Sequence, residues 1–192
     1  MARMKSYNQR NAPEEVRPIL KMIKDGLGGI PGLVTVTAAS PLVLQALTDM
    51  TRRFQRSSLE PEETELVIVA ACREYGNEYA FEMQSYMAGE AGLPEHVIEA
   101  LHKQRPEDKP WQDERYNALW AFIAAVVAGG GKVGDADIKA FRKAGFNDAQ
   151  MLEVVFGINI AHLICHLSEL AELSPDRKFR WSGSGLFSRG RK

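Results

Sequence analysis

Residues 65–84, ELVIVAACREYGNEYAFEMQ, carry a carboxylic acid and several amides inside otherwise apolar sequence. Glu65 leads into Leu66, Val67, Ile68, Val69, Ala70, Ala71 and Cys72, a run apolar on every side of a helix and therefore read as buried. An ionised carboxylate is seldom buried without a partner. At about 100° per residue, Asn77, Ala80 and Gln84 share a face with Phe81, Met83 and Met87, while Glu78, Glu82 and Ser85 lie opposite and are expected in solvent. Gln84 is then a polar group turned inward. Desolvation beside apolar walls would raise the pKa of Glu65 and poise it as a general acid or base. Gln84 or Tyr79 could donate a hydrogen bond to a carbonyl or enolate oxygen. The chemistry of this constellation is proton transfer.

A second constellation lies near the C-terminus. Asn159, His162, Cys165, His166 and Glu169 fall on one arc of a helix whose other positions are mostly Leu, Ile, Val and Phe. His162 and His166 at i and i+4, with Glu169 three further on, could ligate zinc or iron. The favoured reading is a hydrogen-bonded polar seam at a helix or subunit contact, because no HExxH-type base pattern accompanies the histidines. No metal or other cofactor is expected. His96 and His102 read as surface residues of a short charged helix.

The spacing around Glu65 resembles the core of the alkylhydroperoxidase D (AhpD) and carboxymuconolactone decarboxylase family, in which a Glu precedes Cys-x-x-Cys-x-x-x-His. Glu65 matches the Glu, Asn77 and Ala80 stand at the two cysteine positions of the peroxidase branch, and Gln84 stands at the histidine. In the decarboxylase-like branch the same helix reads Tyr-Glu-Trp-x-x-His; here Tyr79 and the aromatic Phe81 are kept while the Glu and His are not. GIPGLVTVTAASPLVLQALTDM upstream, with AGLPEHVIEAL and VGDADIKAFRKAGFNDAQMLEVVFGINIAHLICHL downstream, extend the likeness over residues 28–172. The resemblance implies an all-α, AhpD-like domain and a small carboxylated lactone or keto acid undergoing decarboxylation or isomerisation. It places Glu65, Tyr79 and Gln84 as catalytic candidates, with Asn77, Ala80 and Phe81 against the substrate. It also implies a homo-oligomer, a trimer or a dimer of trimers. With the redox pair replaced, a thiol-dependent peroxidase is the least favoured activity. A catalytically silent helical oligomer that binds a small molecule or acts as a scaffold is the alternative.

The elements that would position these residues are helical throughout. Ser40-Pro41 is a helix N-cap and first-turn pair, opening a helix to about Arg56 with Leu42, Leu44, Ala46, Leu47 and Met50 inward. Pro61, Glu62 and Glu63 start the Glu65 helix, with acids in its positive first turn. Gly76 separates it from the Asn77 helix; Gly92 and Pro94 end that one. The pattern predicts about seven or eight helices, including Asp135–Lys143 and a long one over 148–172, and no sheet. The domain is read as 28–173, preceded by a lead-in helix within 1–27. Residues 174–192, SPDRKFRWSGSGLFSRGRK, read as a flexible tail or a segment whose aromatics dock on a neighbouring subunit.

Lys plus Arg number 24 and Asp plus Glu 25, so no whole-chain field favours nucleic acid. The first residues lack the apolar core of a signal peptide, and no uninterrupted apolar run reaches the length of a membrane span. A cytoplasmic protein with no membrane partner is expected. Cys72 and Cys165 stand in separate apolar contexts and are expected to be buried free thiols.

Overall fold

The structure is a computed structural model that describes residues 3–181. Among these residues there are nine α-helices and no strand: α1 Arg17–Leu27, α2 Gly32–Thr37, α3 Pro41–Phe54, α4 Pro61–Glu74, α5 Glu78–Ala91, α6 Glu95–Lys103, α7 Glu114–Ala128, α8 Asp135–Lys143 and α9 Asp148–Leu170. Eight follow from local signals. Ser40 Oγ caps α3 through the Val43 N–H, Asn77 Oδ1 caps α5 through the Ala80 N–H at 2.7 Å, and Asn147 and Gln150 cap α9 reciprocally. The ninth, α2, starts directly after Pro31 in a glycine-rich stretch read as a breaker. Its first N–H groups are satisfied from far away in the chain: Gly32 donates to Asp176 Oδ2 at 2.8 Å and Leu33 to the Tyr79 hydroxyl at 2.7 Å.

Helix α4 is the centre of the domain and packs against α5, α7 and α9. Being apolar on all sides, it is enclosed on all sides: Leu66 through Cys72 are buried without exception. At its first turn Glu63, 2% exposed, is held by Arg115 of α7 through contacts of 2.8 and 3.2 Å and accepts the Glu60 N–H. On α9, Gly157 lets the helices approach closely. A Cβ there would lie 2.5 Å from the Phe54 ring of α3 and 2.7 Å from Val67 Cγ1 of α4. Helix α9 is long and apolar enough to cross a membrane by length and composition alone; here it packs along α3, α4, α5 and α7.

Three expectations are corrected. On α3, Leu42 is 77% exposed and Ala46 is also exposed, because the buried stripe runs through Leu44, Leu47 and Phe54 and Leu42 lies about 200° from Leu44 around the helix. On α5, Ser85 is fully buried and the Glu82 side chain largely so, because α6 and the C-terminal segment cover the side opposite α4. Burial raises the pKa of Glu82. His102 is half-buried rather than on the surface, stacked on Trp181 at 4.4 Å and tilted against Phe81 at 4.3 Å. Burial, with Arg73 and Lys103 nearby, pushes its imidazole pKa down to about 4.

Residues 174–181, the first part of the segment read as tail, pack on their own chain as a strap. Asp176 reaches Gly32 and Tyr79, Phe179 is buried against Tyr86, and Trp181 covers His102. The remainder of the tail, with Leu186 and Phe187, lies outside the described residues.

Candidate functional site

Helices α3, α4, α5 and α9, with the segment from α1 to α2, enclose a cavity of about 360 Å³. Its walls are mainly aliphatic and sulfur-bearing: Leu33, Leu44, Leu47, Ile68, Met83 and Met87 are representative. Glu65 reaches it from α4 and Gln84 from α5. Gly76, at φ 70°, makes the left-handed turn that folds α5 back on α4, so two residues far apart along the chain line one space.

Among the described residues neither the Glu65 carboxyl nor the Gln84 amide has a hydrogen-bond or ion-pair partner. The threonines of the wall differ in this. Thr48, Thr51 and Thr64 return their hydroxyls to the carbonyls of Leu44, Leu47 and Pro61. Burial alone pushes the Glu65 pKa from 4.5 up to about 7, so near neutral pH the carboxyl exchanges a proton readily in either direction. An unpartnered acid and an unpartnered amide facing one apolar cavity provide a proton-transfer group and an orienting dipole.

The other residues assigned to this site from the sequence lie elsewhere. The Tyr79 hydroxyl accepts the Leu33 N–H and donates to Asp176 Oδ2 at 2.9 Å, so both its bonds are structural. Burial first, then Asp176, drives its pKa well above the usual phenol range, which removes it as an acid near neutrality. Asn77 is the N-cap of α5 and its amide donates to Cys165 O and to Glu169 Oε1 at 2.8 Å. Ala80 is fully buried in the core and Phe81 packs on His102. None of the four lines the cavity.

Residues of the polar arc of α9 meet the turn between α4 and α5 in a seam. Asn77 Oδ1 accepts from Ser168 Oγ, and Glu169 is taken by the Asn77 amide. His162 stacks on Tyr75 at 4.3 Å and lies 3.9 Å from the His166 ring. Asn159, His166 and Glu169 face outward while Cys165 faces inward. No group of three or more potential ligands that could hold a metal ion occurs among the described residues. Cys72 and Cys165 are buried free thiols, and the fold brings them together across the α4–α9 contact. Burial, reinforced by Cys165, raises the Cys72 thiol pKa well above its ordinary value, the reverse of what a reactive thiolate needs.

Three residues with structural or site roles escaped the sequence reading. Glu63 has a local signal, an acid three positions after the cap, but its ion pair with Arg115 does not. Asp176 sits in a segment read as tail, with no pattern around it. Arg52 lines the cavity from the end of α3, and its position in a basic run hid it.

No family model matches the sequence, and no curated protein matches it significantly. Solved structures do match in fold. An alkylhydroperoxidase AhpD core, a peroxidase-related protein from Ralstonia eutropha JMP134, aligns with a TM-score of 0.82 at 18% identity over 93% of this chain and 94% of that one. A peroxidase-related protein from Silicibacter sp. TM1040 aligns with a TM-score of 0.77 at 17% identity over 93% and 97%. The debrominase Bmp8, in complex with 2,3,4-tribromopyrrole, aligns with a TM-score of 0.71 at 12% identity over 91% and 96%.

Proposed function

Because the chain has the all-α, AhpD-like fold, we propose that it uses this fold for proton transfer on a small molecule held between Glu65 and Gln84. In this reading it is a carboxymuconolactone decarboxylase-like enzyme that decarboxylates or isomerises a small carboxylated lactone or keto acid. Glu65 takes the proton from, or returns it to, a carbon beside a carbonyl, and Gln84 donates to the oxygen on which negative charge develops. The observation that carries it is the unpartnered Glu65 in an apolar cavity, with burial pushing its pKa up to about 7. The volume, about 360 Å³, is that of a site for one small molecule. The debrominase of the same fold was solved with a substituted pyrrole, which supports a ring-sized occupant. Tyr79 serves as a positioning residue in this scheme.

The test is solvent deuterium incorporation, followed by NMR and mass spectrometry, over a panel of small lactones and keto acids. Wild-type protein should exchange or decarboxylate at least one member, and Glu65→Gln should abolish this while remaining folded. Turnover unaffected by Glu65→Gln would refute the assignment.

A second reading is a binding protein without turnover. It is favoured by Asn77, Ala80 and Gln84 standing where the family pattern has its reactive residues, and by the structural use of Tyr79. Ligand-dependent thermal stabilisation with no conversion of any bound panel member would select it. In either reading we propose self-association through the outer face of α9, where Leu152, Phe156 and Leu170 are exposed, as a trimer or a dimer of trimers.

A further inference from the structure

The cavity has a polar end that the proton-transfer scheme does not use. Helix α3 and the Gln55 that follows it present a stripe to it, in which the aliphatic Leu44 and Leu47 give way to Thr48, Thr51, Arg52 and Gln55, with Phe54 among them. Arg52 stands at the exposed end of this stripe. Among the described residues its guanidinium makes two contacts, an ion pair with Asp49 at 3.6 Å within α3 and a contact with the Met22 sulfur at 3.9 Å. Neither is the paired, planar arrangement that a guanidinium offers a carboxylate. Arg52 does not salt-bridge Glu65, and burial is the cause of the raised Glu65 pKa, so the acid and the cation act at separate places in the cavity.

We propose that Arg52 anchors the anionic head of the cavity's ligand, so that the ligand is an amphipathic carboxylate whose apolar body lies against the α3 stripe and whose reacting end meets Glu65. This rests on the reading of the Glu65 cavity as the ligand site. A guanidinium at the exposed end of apolar walls selects one orientation: the opposite pose would leave the anion among methionine and leucine side chains and beside the Glu65 carboxyl, with the neutral Gln84 amide in place of a cation. It also makes Arg52 a specificity-determining residue that takes no part in the proton transfer.

The experiment compares straight-chain and aryl carboxylates of four to ten carbons, each with its neutral amide, by calorimetry. The proteins are wild type, Arg52→Gln, Arg53→Gln and Thr51→Phe. Arg53 carries the same charge on the same helix but does not line the cavity, so it controls for helix-end electrostatics. Thr51→Phe fills the cavity from α3. The best carboxylate should bind wild type about tenfold more tightly than its amide, a difference equivalent to about 1.4 kcal/mol. Arg52→Gln should erase that preference, Arg53→Gln should keep it, and Thr51→Phe should lose both ligands. Equal binding of acid and amide to wild type, with both lost in Thr51→Phe, overturns the role of Arg52 and leaves the cavity standing. So does a preference that survives Arg52→Gln. Failure of every acid and amide to bind counts against the cavity reading as well.

Discussion

The Tyr79 hydroxyl of α5 donates to the Asp176 carboxylate of the C-terminal strap at 2.9 Å while accepting the Leu33 N–H at 2.7 Å. One phenol thus joins the first turn of α2, the helix that supplies Leu33 to the cavity wall, to a segment nearly a hundred residues further along the chain. Asp176 adds a direct bond to the Gly32 N–H. The cavity wall is held by a latch whose parts are distant in sequence.

Tyr79→Phe should cost about 1–3 kcal/mol of stability, because it leaves the buried Leu33 N–H without an acceptor. Urea denaturation measures this. The pH dependence of any activity should be unchanged, since Tyr79 positions the wall and carries no proton in the scheme. An unaltered midpoint would show that the latch bears no energy.

The raised Glu65 pKa ties stability to pH. Folded Glu65 holds its proton up to about pH 7, whereas the unfolded side chain releases it near 4.5. Between these values the folded state binds more protons, so this group's contribution is fully present below about 4.5 and is lost as pH rises to about 7 and beyond. A shift of this size corresponds to about 3 kcal/mol. Glu65→Gln should flatten that part of the stability profile, as read from denaturation midpoints between pH 4.5 and 8. Superimposable slopes for the two proteins would contradict the burial of the acid.

Breaking the Glu63–Arg115 pair should be among the most damaging single changes outside the cavity. Arg115→Gln leaves a carboxylate 2% exposed without its cation, at a cost of about 3 kcal/mol. The arginine is one-third exposed, which keeps the figure at the lower end of the range for buried pairs. Replacing both residues, as Glu63→Gln with Arg115→Met, should recover part of the loss; thermal melts of the two variants and the wild type provide the comparison.

Gly157→Ala tests the close approach of α9. The added methyl would meet Phe54 and Val67 at 2.5 and 2.7 Å, and overpacking of this kind costs about 1–3 kcal/mol. Any gain in helix propensity is smaller, about 1 kcal/mol. Calorimetry should show a lowered Tm, and a raised one would mean that the helices shift apart freely.

Self-association through α9 predicts that Phe156→Asp, at a position already 36% exposed, dissociates the protein without unfolding it. Light scattering and circular dichroism together read the two effects. A wild-type monomer in dilute solution is the result that rules out this interface.

The sequence by itself determined eight of the nine described helices, since caps such as Ser40, Asn77 and Asn147, breakers such as Gly76 and Gly92, and the 3.6-residue period act within a few residues of where they stand; α2, whose first N–H groups bond to Asp176 and Tyr79, was not among them. It also determined that Glu65 and Gln84 turn inward, because an apolar run around an acid and an amide on an apolar face leave little else for them to do. What only the tertiary structure decided was which inward-facing groups meet. Tyr79, Asn77 and Gln84 share one helix, and nothing local distinguishes them. Long-range partners do: Asp176 and the Leu33 N–H take the phenol, Cys165 O and Glu169 take the asparagine, and no described residue takes the glutamine. The strap behaved likewise, reading as tail together with the Gly- and Ser-rich residues that follow it, although Asp176, Phe179 and Trp181 find their partners on α2, α5 and α6. Periodicity reports that a side chain is covered, because burial is a property of one helix face. Hydrogen-bond partners belong to pairs of elements, and chain folding alone brings those pairs together.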